Sequence, residues 1–225
     1  MTPIFLDIET APIDDVESYL PDFGPRKGTK DEAKQAAQIA DKRDAALRDA
    51  SLDPDLSRIV CLGFGGLDDD RILVCQDEGV EAEALCQFWD RIREASSRSI
   101  SGDWLLIGYN LLSFDLVRIY RRSLYLDVPP YQIQRDKYKH PRVVDLWDLL
   151  SEQGRLSWRG IDYYIRRFGL EDRIPSDPCK GEDVPRLAQE GAWDVIRGHN
   201  ACDLAKNRAL ALRLGVVTPA MVDAA

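Results

Sequence analysis

Two carboxylates sit where an apolar strand has little use for them. The run Ile4-Phe5-Leu6-Asp7-Ile8-Glu9 is hydrophobic except for Asp7 and Glu9. Side chains alternate along a strand, so both acids point to one face. Like charges side by side in a core strand are costly unless something compensates them. Hard divalent cations such as Mg²⁺ or Mn²⁺ are the natural compensation, because they prefer carboxylate oxygen. A strand end that reaches solvent would carry the same D-x-E pattern at no cost.

Two further constellations could complete such a site. In Leu105-Leu106-Ile107-Gly108-Tyr109-Asn110-Leu111-Leu112-Ser113-Phe114-Asp115 a strand ends near Gly108 and Asn110 lies in a loop. Ser113 is placed to cap the following helix. Asp115 then falls in its first turn, where the helix dipole favours an ionised carboxyl. It reads as a metal-facing acid beside an amide that orients substrate, or as an ordinary first-turn acid. In His199-Asn200-Ala201-Cys202-Asp203 the outer two residues stand at i and i+4 and share a helix face. They read as a second acid with a proton-accepting imidazole, or as a surface His–Asp pair.

The elements that must position these residues alternate between strand and helix. Ile4–Ile8, Arg58–Gly65, Arg71–Cys75 and Trp104–Gly108 read as strands. Glu81–Ala95 has an apolar side of Leu85, Phe88, Trp89 and Ile92 and reads as an amphipathic helix. Further helices are expected over Ser113–Tyr125, Val143–Leu150, Arg159–Phe168 and Ala192–Leu214. Between the first two strands, Lys30–Ala50 is rich in Ala, Lys, Asp and Gln. Thr29 and Glu32 are spaced as a capping box for a helix there. That helix is either a lid or substrate arm or a solvated surface helix. The acidic turn Asp68-Asp69-Asp70 suits solvent better than a metal. The order predicts an α/β domain, a mixed sheet with helices packed on it.

Composition narrows the function classes. The 225 residues suit a single domain over 1–225 with a helical insertion near 13–57. A formal net charge of -9 argues against a protein that coats long duplex nucleic acid. A grip on a few nucleotides stays open, since bound cations reverse local charge. The five cysteines form no C-x-x-C pair, so a zinc knuckle or disulfide scaffold is not expected and a reducing cytoplasm is the simpler setting. The chain starts without a basic-then-apolar signal pattern, and no apolar run approaches the roughly 20 residues needed to span a bilayer.

D-x-E in the first strand, N-x4-D at a strand-to-helix junction and a ring residue-x3-D near the C-terminus form a specific combination in that order. It resembles the DEDD superfamily of 3′→5′ exonucleases, which have the ribonuclease-H-like fold, from Phe5 to about Leu214. Within that superfamily it looks closest to exonucleases related to family-B polymerase proofreading domains. The resemblance implies hydrolysis of phosphodiester bonds with two divalent ions, Mg²⁺ or Mn²⁺. Asp7 would bridge both ions, Glu9 and Asp203 would complete the site of the attacking water, and Asp115 would support the other ion. His199 would take the proton from that water. Asn110 would contact the terminal nucleotide, and Phe114 would be either core or a wedge near the bases. The third motif departs from the family's pattern: it has the spacing of the tyrosine type and the residue of the histidine type. The implied partner is a nucleic acid 3′ end, single-stranded DNA before RNA. The alternatives are a short-RNA exonuclease, a catalytically inactive binding module of the same fold and a phosphodiesterase for small nucleotides. Arg118, Arg121 and Arg122, the stretch Arg135, Lys137, Tyr138 and Lys139, and Lys180-Gly181 are candidate guides for a strand.

Overall fold

The first strand is the hinge of the architecture, because it is paired on both edges. The structure, a computed structural model, describes residues 2–98, 104–136 and 139–218. Lys137 and Tyr138 lie outside them. β1 (Thr2–Pro12) pairs antiparallel with β2 (Ser57–Gly65) and parallel with β4 (Trp104–Gly108). β3 (Arg71–Val74) flanks β2 and β5 (Val143–Asp145) flanks β4, giving a five-stranded mixed sheet in the order β3-β2-β1-β4-β5.

Alternation along β1 feeds two cores. Ile4, Leu6 and Ile8 pack under α2 (Glu78–Arg98) and α3 (Asp115–Tyr125) with Phe64, Phe88, Trp89 and Ile119. Phe5 points the other way, against α5 (Ile161–Phe168) and α7 (Trp193–Arg213), with Ile165, Leu204 and Leu210. Asp7 and Glu9 share the side of Phe5 by the same period of two, so α7 is the helix that faces them. The register slips between Glu9 and Thr10, a bulge just past the second acid, and pairing with β2 resumes from Thr10 with Ile59 to Pro12 with Ser57.

Three expectations need correction. Val143–Leu150 is not one helix: Val143–Asp145 is the strand β5, and α4 covers only Leu146–Leu150. A short apolar run cannot be divided by periodicity alone. Asp145 accepts from Trp147 N at 3.0 Å and turns the chain into α4. Ser113 does not cap α3; the helix opens at Asp115 with Phe114 at the N-cap, after a turn in which Phe114 N donates to Asn110 O. Thr29 and Glu32 form no capping box. α1 (Glu32–Asp49) is capped by Asp31, whose side chain accepts from Lys34 N at 3.0 Å, and Thr29 O accepts from Gln35 Nε2 instead.

α1 buries none of its residues. It leans on the turn-rich stretch before it, through Arg43 with Glu17 and Lys42 Nζ with Gly24 O. The acidic turn closes on itself, with Asp69 accepting from Gly66 N and Asp70 paired with Arg208. No helix among the described residues is long and apolar enough to cross a membrane.

Candidate active site

All seven residues singled out by the sequence meet in one open cleft of about 820 Å³, where Asp7, Glu9, Asn110, Phe114, Asp115, His199 and Asp203 line the wall. Asp7 and Glu9 rise from β1. Asp115 comes from the start of α3, and its Oδ1 accepts from Ile8 N at 3.1 Å. This bond uses an edge of β1 that β4 no longer covers, since the parallel register ends at Phe5 and Ile107. His199 and Asp203 come from α7.

A missing side chain lets α7 approach. Gly63 stands opposite Asp7 in β2, and a Cβ there would lie 1.9 Å from Asn200 Oδ1. Asn200 fills that space, and its Nδ2 donates to Asp7 Oδ2 at 2.8 Å.

The imidazole of His199 is held by both sides. Nδ1 lies 2.7 Å from Asp177 Oδ1, while Nε2 faces Glu9 Oε1 at 3.9 Å and Asp203 Oδ2 at 3.8 Å. Burial alone would raise Asp177, but hydrogen bonds from Lys206 and His199 outweigh it and hold the carboxyl below its usual range. An ionised carboxylate only accepts, so it places an imidazole proton on Nδ1, and Nε2 is the ring nitrogen that faces the acids.

Lys206 brings a fixed cation. Its Nζ lies 2.7 Å from Asp203 Oδ1, 2.9 Å from Asp177 Oδ2 and 3.0 Å from Asp162 Oδ1. One ammonium does not balance the cluster. The carboxyl of Asp7 is pushed well up by burial and then by Asp203, Glu9 and Asp115. Glu9 is pushed up by burial, Asp203 and Asp115. Burial also raises Asp115 and Asp203.

The donor set fits a divalent cation. Glu9 Oε1 is buried with no hydrogen-bond donor, so it has an open coordination role. Glu9, His199 and Asp203 place ligand atoms within 4.8 Å of one another. Among the described residues Asp7 and Asp115 belong to no such group of three, and they border this one from the sheet and from α3.

The remaining assignments divide. Asn110 is in the left-handed region at φ 60, and its N donates to Asp145 Oδ1 at 2.8 Å, with Leu112 N on Asp145 Oδ2 at 3.0 Å. Asp145 thus pins the loop that presents Asn110 to the cleft. Phe114 is both core and cleft wall: it packs against the α2/α3 core and carries the Arg118 guanidinium 3.6 Å above its ring. Lys180 and Gly181 line the cleft.

Arg118 and Arg122 do not guide a strand. Both are buried, Arg118 donating to Phe114 O and Leu52 O, and Arg122 to Glu81 and Glu78. Arg121 pairs with Asp55, and Arg135 lies 4.0 Å over the Tyr120 ring.

Sequence reading missed Asp177, Lys206, Asn200, Gly63 and Asp145. Lys206 had a signal, because His199, Asp203 and Lys206 stand at i, i+4 and i+7 on one helix face. Asp177 had none: it sits in Pro175-Ser176-Asp177-Pro178, outside any periodic element. No protein-family model matches the chain, and the sequence of no curated protein matches it.

Proposed function

We propose that this chain is a metal-dependent 3′→5′ exonuclease of the DEDD type, cutting phosphodiester bonds at the 3′ end of nucleic acid, single-stranded DNA before RNA. The observation that carries the reading is the convergence of Asp7, Glu9, Asp115, Asp203 and His199 in one under-neutralised cleft. The sheet order is compatible with a ribonuclease-H-like fold. A cytoplasmic setting goes with this reading, as do the five free cysteines.

Asp7, Glu9 and Asp203 would hold Mg²⁺ or Mn²⁺, with Asp115 supporting a second ion. Bound there, the ions supply a nucleophilic water at neutral pH and stabilise the leaving oxygen. The chain's own residues do the rest. His199 accepts the water's proton at Nε2, and Asp177 fixes the ring and stabilises the imidazolium that forms. Lys206 holds Asp203 in place. Asn200 orients Asp7 and leaves its other oxygen to the cleft. Asn110 and Phe114 border the place of the terminal nucleotide.

The test is incubation of the purified protein with 5′- and 3′-labelled DNA and RNA, single- and double-stranded, with Mg²⁺, Mn²⁺ or excess chelator. A ladder shortening from the 3′ end, abolished by chelator, supports the reading. Strand binding without cleavage assigns an inactive binding module, and cleavage of dinucleotides alone assigns a small-nucleotide phosphodiesterase. Full activity in excess chelator overturns the metal mechanism.

A further inference from the structure

The indole of Trp158 is 54% exposed, although it belongs to a run of aromatic rings. Its ring packs edge-on against Trp147 at 4.6 Å and lies 5.9 Å from Tyr109. Tyr109 and Trp158 both line the cleft that holds the carboxylates. The rings continue outward through Tyr164, 6.5 Å from Tyr109, to Tyr163, which is 47% exposed and carries the Arg159 guanidinium 5.4 Å from its ring centre.

This ledge is fixed to the site. The Tyr109 hydroxyl donates to Arg159 O, one residue past the indole. Asp162, four residues past it, pairs with Lys206, which also holds Asp203 and Asp177. A rigid exposed indole loses little freedom when it binds, which favours it as a contact surface.

We infer that Trp158, backed by Trp147 and Tyr109, is the stacking platform for an unpaired nucleobase of the strand whose end enters the carboxylate cleft. The inference rests on the exonuclease reading. It answers a difficulty which that reading raises. The chain carries a net charge of -9, and the cleft floor is acidic, so a broad electrostatic grip on phosphates is missing. Base–aromatic stacking supplies affinity without cations and tolerates any sequence, because every base has a π-face. Arg159 adds a positive charge beside the ledge. A base must be unpaired to offer its face to Trp158, so the platform selects single strands and frayed ends over intact duplex.

The test compares wild type, Trp158→Ala and Trp158→Phe. Binding of 5′-fluorescein-labelled oligo-dT is read by anisotropy in Ca²⁺, using strands in which one abasic position is moved along from the 3′ end. Wild type should lose roughly ten- to a hundred-fold in affinity at one abasic position, the range of a single stack. Trp158→Ala should bind the intact strand as weakly as wild type binds that abasic strand, and should be indifferent to the gap. Trp158→Phe should keep most of the affinity. In Mg²⁺, Trp158→Ala should raise KM for the long strand by more than it lowers kcat. If Trp158→Ala binds and cuts long strands like wild type, the platform is overturned. The same holds if the substitution only abolishes self-association in sedimentation, which would assign the ledge to a second copy of the chain. If wild type neither binds nor cuts any strand, the exonuclease reading itself has failed, and the platform with it.

Discussion

Glu81 and Glu9 are glutamates buried on opposite sides of one sheet, and their partners differ. Glu81, on α2, accepts from Ile59 N at 2.9 Å, Arg122 Nε at 2.8 Å and Arg122 Nη2 at 2.7 Å. Burial alone would lower the Arg122 guanidinium, but Glu81 and Glu78 more than offset it. Glu81 and Arg122, both buried, serve as each other's fixed opposite charge. Glu9 keeps a buried oxygen without a donor, among acids that raise one another. The first arrangement completes itself within the fold. The second is held together by packing elsewhere, and on the proposed reading a cation from solution completes it. A buried acid therefore points to function when its partner is missing, not when it is merely buried.

Breaking the two clusters should separate activity from stability. Asp7→Asn should nearly abolish turnover on a labelled strand while leaving the fold intact by circular dichroism, and should raise the melting temperature of the metal-free protein, because one repelling charge is gone. Unfolding by this substitution would make Asp7 structural. His199→Ala should lower kcat by about 10²–10⁴-fold at saturating metal, the usual worth of a general base. His199→Tyr should recover part of the loss, since its spacing is that of the tyrosine subgroup, and a wild-type rate in His199→Ala would remove the histidine from the chemistry. Glu81→Gln should do the reverse, leaving the rate per folded molecule unchanged and lowering the unfolding free energy in urea by about 3 kcal/mol, because buried Arg122 then keeps only the exposed Glu78 as an opposite charge.

The pH dependence of the metal-free protein sharpens the contrast. Asp7, Glu9, Asp115 and Asp203 are raised in the folded state, so the native form keeps protons that the unfolded chain releases. Stability from these groups is full below the ordinary carboxylate range, near about 4, and falls as pH rises through their elevated values. Asp177 is lowered, so its contribution is present above that range and is lost only in stronger acid. Urea unfolding in chelator should therefore show stability falling as pH rises above about 4, by at most about 1.4 kcal/mol per unit for each group. Mg²⁺ should flatten the slope, and Asp7→Asn should reduce it in chelator. A slope that ignores both would detach the acids from it. Smallest of all, shortening α1 while keeping Ser51 and Leu52, which line the cleft, should shift the preference between single- and double-stranded ends and leave metal affinity alone. No shift would make α1 a passive surface helix.

The site was legible in sequence to the extent that local periodicity encodes it. Two acids at i and i+2 in an apolar strand, and a ring with an acid at i and i+4 in a helix, announce a shared face before any coordinates. What the sequence hid is what periodicity does not carry. Asp177 reaches His199 across 22 residues from an irregular stretch. Asp145 lies at a strand-to-helix junction inside an apolar run too short to divide. Arg118 and Arg122 looked like a basic helix stripe, but they point inward, and Arg122 neutralises Glu81. Lys206 had the right spacing, yet a lysine on a helix is ordinarily solvated, and the carboxylates of Asp203, Asp177 and Asp162 together explain its burial.

The hydrogen bond between Asn200 and Asp7 spans 193 residues of chain. A ribosome delivers Asp7, Glu9 and Asp115 long before it delivers α7. Until then the three acids have neither the imidazole of His199 nor the ammonium of Lys206, and the notch at Gly63 stands open. Every truncated product lacking α7 is therefore half a site. If the cleft cuts nucleic acid, that activity requires α7, and a chain that stops before Trp193 lacks it.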